Sequence, residues 1–145
     1  MIHIHPMTAQ TLSDAATLAA RVYSTAVDEL LPAFIEAMDD PQQQTFLAFE
    51  DSTAVAFAQV TLRHDYVEGT GTSPVGYLEG IYVSPSHRRQ GLARKMVETC
   101  KGWAKEQGCS EFASDTQLHN VESQAFHQAL GFIEAGRIVC YTQQL

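Results

Sequence analysis

Residues 76–97 read GYLEGIYVSPSHRRQGLARKMV, an apolar run, a short polar loop and the opening of an amphipathic pattern. Aromatic and β-branched residues up to Val83 favour a strand, which Pro85 closes. From Leu92 the apolar positions Leu92, Met96, Cys100 and Trp103 fall at intervals of four, four and three, one stripe of a helix that ends near Gly108. Strand, loop and helix therefore adjoin, with Arg88, Arg89, Gln90, Gly91, Leu92 and Ala93 at the junction. Backbone N–H groups at a helix N-terminus have no intrahelical acceptor and sit at the positive end of the helix dipole, so a pyrophosphate can be held there without a metal. Gly91 and Ala93 keep the approach open, while Arg88 and Arg89 add charge-assisted hydrogen bonds from the rim. No G-x-x-x-x-G-K-S/T and no G-x-G-x-x-G occurs in the chain, which disfavours ATP and NAD.

Outward from this stretch the pattern continues in both directions. Upstream, TFLAFED, a turn at Asp51-Ser52 and AVAFAQVTLRHDYV predict a β-hairpin, and the Gly- and Thr-rich VEGTGTSPVG is a loop between strands. Before the hairpin, an Ala-rich run to Tyr23 and a second pattern through Leu30, Leu31, Phe34, Ile35 and Met38 predict two helices, preceded by a short edge strand at IHIHPM. Downstream, a strand at EFAS, a helix through SQAFHQAL ended by Gly131 and a last strand at RIVCYT complete the order. A chain of 145 residues, 45% hydrophobic and 18% charged, is one domain spanning 1–145.

The charge balance excludes some partners. Nine Lys and Arg against seventeen Asp and Glu give a net charge of −8, which repels nucleic-acid backbones and anionic membranes and favours cationic ligands. No stretch approaches the roughly 20 apolar residues a membrane span needs. Cys100, Cys109 and Cys140 form no C-x-x-C pair, so neither a disulfide framework nor a thiolate zinc site is expected, and a reducing cytoplasm is the expected compartment. Cys109 and Cys140 read as inert buried thiols, Trp103 and Phe126 as core. His3 and His5 share a strand face but have no third ligand, and His119 and His127 lack H-E-x-x-H spacing, so no metal is expected.

The run Arg88 to Ala93 resembles the R/Q-x-x-G-x-G/A pyrophosphate loop of the GNAT acetyltransferases. LEGIYVSP resembles that family's acetyl-CoA strand, and NVESQAFHQALGF, from Asn120 to Phe132, its N-x-x-S-x-x-x-x-x-x-L-G-F signature. The resemblance covers about half the chain in the correct order. It implies an α/β (α+β) fold with a mixed, mostly antiparallel sheet flanked by helices on both faces, and acetyl-CoA as co-substrate in a cleft between two splayed strands. The cofactor residues it implies are Ile81, Tyr82, Val83, the loop from Arg88 to Ala93, Asn120 and His127, with backbone N–H groups near Ile81, Tyr82 and Val83 forming the oxyanion site.

DYVEGTGTSPVGYLEGIYV and EFASDTQLHNVESQAFHQALGF are further similar to the aminoglycoside 6'-N-acetyltransferases. That likeness implies acetyl transfer to the 6'-amine of a polycationic drug, with resistance as the outcome, and a homodimer to which the last strand contributes. Tyr23, Tyr66, Glu79 and Asp115 become substrate-pocket residues, with Asp65 and Glu68 adding negative charge nearby. Tyr23 stands where relatives carry tryptophan, and Gly136 where they carry glutamate, so one ammonium contact is either lost or supplied by the neighbouring Glu134. Strand alternation puts Glu79 on the face of Ile81, where a carboxylate can take the amine proton directly or through water, so Glu79 is the leading base. Asp115, at the end of EFAS, is a second acceptor or ammonium anchor, and His127 stands where many GNAT enzymes place a tyrosine acid. Two rivals remain open on sequence: an acetyltransferase for another polyamine or a protein amine, and an acyl-CoA-binding sensor without catalysis.

Overall fold

Antiparallel pairing accounts for most of the sheet in the computed structural model, which describes Met1–Leu145. Strand β1 (Ile2–Pro6) lies at one edge, followed in spatial order by β2 (Gln43–Glu50), β3 (Thr53–Arg63), β4 (Val75–Val83) and β5 (Phe112–Ser114). Only the β4–β5 pair is parallel, because a helical crossover separates the two strands. Helices α1 (Leu12–Tyr23) and α2 (Val27–Met38) join β1 to β2, and α3 (Leu92–Glu106) joins β4 to β5. Helix α4 (Val121–Ala129) follows β5.

Period-two alternation divides the sheet's side chains between two cores. On one face Ala48, Ala56, Ala58, Val60 and Leu78 pack against Leu92, Met96, Val97 and Cys100 of α3, with Phe126 of α4 and the following Leu130 and Phe132 closing over them. On the other, Leu47 and Phe57 meet Ala15, Ala16, Leu18 and Ala19 of α1 and Phe34 of α2. The alanines let α1 lie close on the sheet, and Phe34 meets Phe57 edge-on, with ring centroids 5.9 Å apart.

Two irregularities matter for the site. The β3–β4 register shifts between Gln59 and Val60, which face Gly80 and Leu78, leaving Glu79 as the extra residue of a β-bulge. The strand expected at RIVCYT is absent. Residues 133–145 form no helix or strand, and Ile133, Ile138, Val139 and Tyr141 stand exposed. A β-rich run makes a strand only where an edge is offered to it, and none within this chain reaches residues 137–142. Cys140 lies in the same segment and is exposed, in contrast to the buried thiol expected, whereas Cys109 is buried.

Candidate active site

The loop before α3 is built to present N–H groups. Arg89 at φ 61 and Gly91 at φ 79 are both left-handed, which turns successive amides toward one side. The first of α3's residues to donate within the protein is Lys95, to Gly91 O at 3.1 Å, so the backbone N–H groups from Arg89 through Arg94 have no protein acceptor. A Cβ added at Gly91 would meet no protein atom within 4 Å, so the space over these donors is open. The donor set and the free space fit a pyrophosphate. Arg88 does not point wholly outward as a rim residue: its Nε donates to Val83 O at 2.8 Å.

Beyond the loop, β4 and β5 part. They pair only where Gly76–Leu78 lies beside Phe112–Ser114, so the rest of β4 has no neighbour on that side. Ser84 N donates to Val55 O at 2.8 Å, and antiparallel alternation then turns the backbone of Tyr82 toward β3 and that of Ile81 and Val83 into the gap. Two of the three expected backbone donors therefore face the cleft, and Tyr82 does not.

The bulge decides where Glu79 points. Ile81 packs into the α3-side core, whereas Glu79 lies on the opposite face among Thr61, Arg63 and Tyr77, so the expectation that alternation puts Glu79 with Ile81 is corrected. Its Oε2 accepts from Thr61 Oγ1 at 2.6 Å and Arg63 Nε at 3.0 Å, and its Oε1 from Arg63 Nη2 at 2.8 Å. The Arg63 guanidinium lies 3.5 Å over the Tyr77 ring, and the Tyr77 hydroxyl donates to Asp115. Glu79 and Asp115 thus stand at two ends of one polar chain. Burial, then the bond to Asp115, pushes the Tyr77 hydroxyl well above its ordinary range. Burial and the nearby charge of Glu79 push Tyr23 up to about 12, so neither phenol is a base at neutral pH.

The sequence and fold of the chain have counterparts in known proteins. The acetyltransferase (GNAT) family model matches residues 10–132. The chain belongs to the GNAT acetyltransferases. Within them, an aminoglycoside N(6')-acetyltransferase type 1 of Acinetobacter haemolyticus is 38% identical over 144 residues and 99% of both chains. A protein of that description from Serratia marcescens is 49% identical over 111 residues, 76% of each. The solved apo structure of a 6'-N-acetyltransferase from Acinetobacter haemolyticus matches with a TM-score of 0.95 over 99% of both chains at 38% identity. A 6'-N-acetyltransferase bound to the bisubstrate analogue CoA-S-monomethyl-acetylneamine matches equally, at 0.95 and 36% identity, over 100% of this chain and 99% of that one.

The remaining expected residues of this acetyltransferase fall on both sides of the sheet. His127 is on the α3/α4 face, apart from Glu79 and Asp115. Its Nδ1 lies 2.7 Å from Ser123 O, an acceptor only, so Nδ1 carries a proton, and Nε2 lies 2.9 Å from Ser114 Oγ. A neutral ring in that tautomer accepts at Nε2, and only the imidazolium donates there. Asn120 caps α4, its Oδ1 accepting from Ser123 N at 3.1 Å, so that oxygen is committed to the protein. Tyr23 turns inward: its hydroxyl donates to Gln59 Oε1 at 3.0 Å and its ring meets Phe57 edge-on at 6.4 Å. Tyr66 stands 75% exposed on the loop between β3 and β4. That loop is fastened by Glu111, which accepts from Gly71 N at 3.0 Å and from the Thr72 hydroxyl. Glu134 pairs with Arg137 at 3.0 Å on the surface. Glu68 lies at Gly136, its Oε1 3.2 Å from where a Cβ of residue 136 would be. Sequence reading missed Arg63, Thr61 and Tyr77, although the alternation of Thr61 and Arg63 along one strand was a signal for a shared face.

Proposed function

We infer that this chain is an aminoglycoside 6'-N-acetyltransferase that moves the acetyl group of acetyl-CoA to the drug's 6'-amine. The observation that carries the reading is the course of the cleft: unpaired N–H groups at residues 89–94 lead along the open edge of β4 to a sheet face bearing Glu79 and Asp115. A site for a polyphosphate and a site for a cation thus meet at one strand gap.

In the reaction the amine nitrogen bonds to the thioester carbonyl carbon, the C–S bond breaks, and the amine's surplus proton leaves. Backbone donors of Ile81 and Val83 face the gap where the carbonyl oxygen gains charge. We assign Glu79 as the group that receives the amine proton, directly or through water, and Asp115 as an ammonium anchor beside it. Tyr66 on the fastened loop and Tyr23 beside Gln59 wall the pocket. His127 lies on the α3/α4 face, where its contact with Ser114 steadies the end of β5, and we assign it a place beside the cofactor rather than in proton transfer. Cytoplasmic residence accords with three unpaired thiols. A homodimer accords with the exposed apolar side chains of residues 133–145. Drug resistance would follow from loss of a cationic group.

The test is thiol release from acetyl-CoA with purified protein, comparing kanamycin, which has a free 6'-amine, with lividomycin, which has a 6'-hydroxyl. Turnover with kanamycin alone is the expected result. Silence with both drugs, or faster turnover with peptide amines, would overturn it.

A further inference from the structure

Arg63 is one of only nine Lys and Arg residues in an acidic chain, and it lies against Glu79, the carboxylate proposed to receive a substrate amine. Its planar guanidinium meets Glu79 through two nitrogens, Nη2 at 2.8 Å and Nε at 3.0 Å, and rests 3.5 Å over the Tyr77 ring. Between them Arg63 and Thr61 occupy both Glu79 oxygens. The arginine side chain is 42% exposed and the glutamate 26%, so Arg63 has a free path outward while the carboxylate stays in place. An exposed guanidinium leaves such a pair at little cost, which a deeply buried one does not.

We propose that Arg63 is a specificity-determining residue, a resident cation that holds Glu79 until a substrate ammonium replaces it. The inference rests on the aminoglycoside reading and adds what selects the substrate. Exchange with a single ammonium breaks one charged contact and makes one, so a monoamine gains little. A polyamine brings further ammonium groups for Asp115 and for Asp65 and Glu68 of the loop, and those contacts carry the displacement. Arg63 thereby rejects simple amines by a competing contact, without a steric barrier.

The experiment measures kcat and KM for kanamycin and for methyl 6-amino-6-deoxyglucoside, a monocation with the same kind of amine, in the wild type, Arg63→Met and Arg63→Lys. The expected result is a fall of about tenfold in the monoamine's KM in Arg63→Met and a smaller fall for kanamycin, so that the preference for the drug shrinks. Arg63→Lys, which keeps the charge without the paired bonds, gives an intermediate preference. An unchanged preference in Arg63→Met would overturn the proposal, as would a loss confined to kcat, which would make Arg63 a positioning residue for Glu79. A reading on the wild type avoids any folding defect of the variants: the Arg63 Nε–H resonance is slow to exchange in the free protein and becomes fast at saturating kanamycin. A resonance unmoved by kanamycin that is being acetylated overturns the exchange and leaves the enzyme's function standing. Absence of wild-type turnover overturns the aminoglycoside reading and Arg63's role with it.

Discussion

The glycine after Glu79 leaves room for the ring of Tyr23. A Cβ at Gly80 would come within 2.9 Å of Tyr23 Cζ and closer still to its hydroxyl, so the residue after Glu79 must be glycine for Tyr23 to reach Gln59. Glu79 was legible as a carboxylate in an apolar strand, but its direction was not. The extra residue in the β3–β4 register moves it to the face opposite Ile81, and no spacing within Leu78-Glu79-Gly80-Ile81 marks a bulge. Gly80→Ala therefore expels the Tyr23 hydroxyl, at a cost of about 1–3 kcal/mol for overpacking. The same variant changes the response to alkali. With a folded pKa of about 12 against an ordinary 10.0, Tyr23 contributes stability that is fully present below pH 10 and lost as the pH rises through 12. Ultraviolet titration of Gly80→Ala should show this phenol ionising nearer 10, and Tyr23→Phe should lack the transition. A Tyr23 titration that stays at 12 in Gly80→Ala would disprove the contact.

The loop and α3 were the most legible elements, because every group that acts there is contiguous in sequence. Arg89 and Gly91 set the turn, and α3 begins one residue later. By contrast, the loop from His64 to Pro74 depends on Glu111, about forty residues away, and nothing near Thr72 announces that partner. Strand β5 was visible as EFAS, yet how far it runs beside β4 depends on pairing, and its three-residue ladder is what opens the gap. The element-scale prediction follows from Gly91. Valine at φ 79 is strained by roughly 1–2 kcal/mol and places methyl groups over the unpaired amides. Gly91→Val should raise KM for acetyl-CoA at least about tenfold, since 1.4 kcal/mol is a factor of ten. KM for kanamycin should hold, because Glu79 and Asp115, the carboxylates proposed to bind it, lie on the other face of the sheet. Initial rates with each substrate varied in turn decide it, and an unaltered acetyl-CoA dependence would remove this loop from the binding site.

At the scale of the whole molecule, residues 137–142 read as a β-rich run, but nothing in their spacing says whose edge they join. Ile133 is 89% exposed, Ile138 76%, Val139 75% and Tyr141 88%, more apolar surface in one short segment than water tolerates cheaply. In the proposed homodimer a second copy of the chain would cover this surface. The segment also touches the substrate loop: a Cβ at Gly69 would collide with Ala135, and Glu68 fills the space over Gly136. If the proposed homodimer forms through residues 133–145, this contact would couple association to the loop bearing Tyr66 and Glu68. A chain ended at Phe132 keeps the whole stretch matched by the family model and should sediment as a monomer where the full chain sediments as a dimer. Its KM for kanamycin should rise several-fold while its KM for acetyl-CoA stays within twofold. A dimer held by these apolar side chains should survive 1 M NaCl, where the Debye length is about 3 Å and charge attraction is screened. A full-length chain that is monomeric at micromolar concentration, or a truncated one that still pairs, would show that residues 133–145 serve the substrate loop alone.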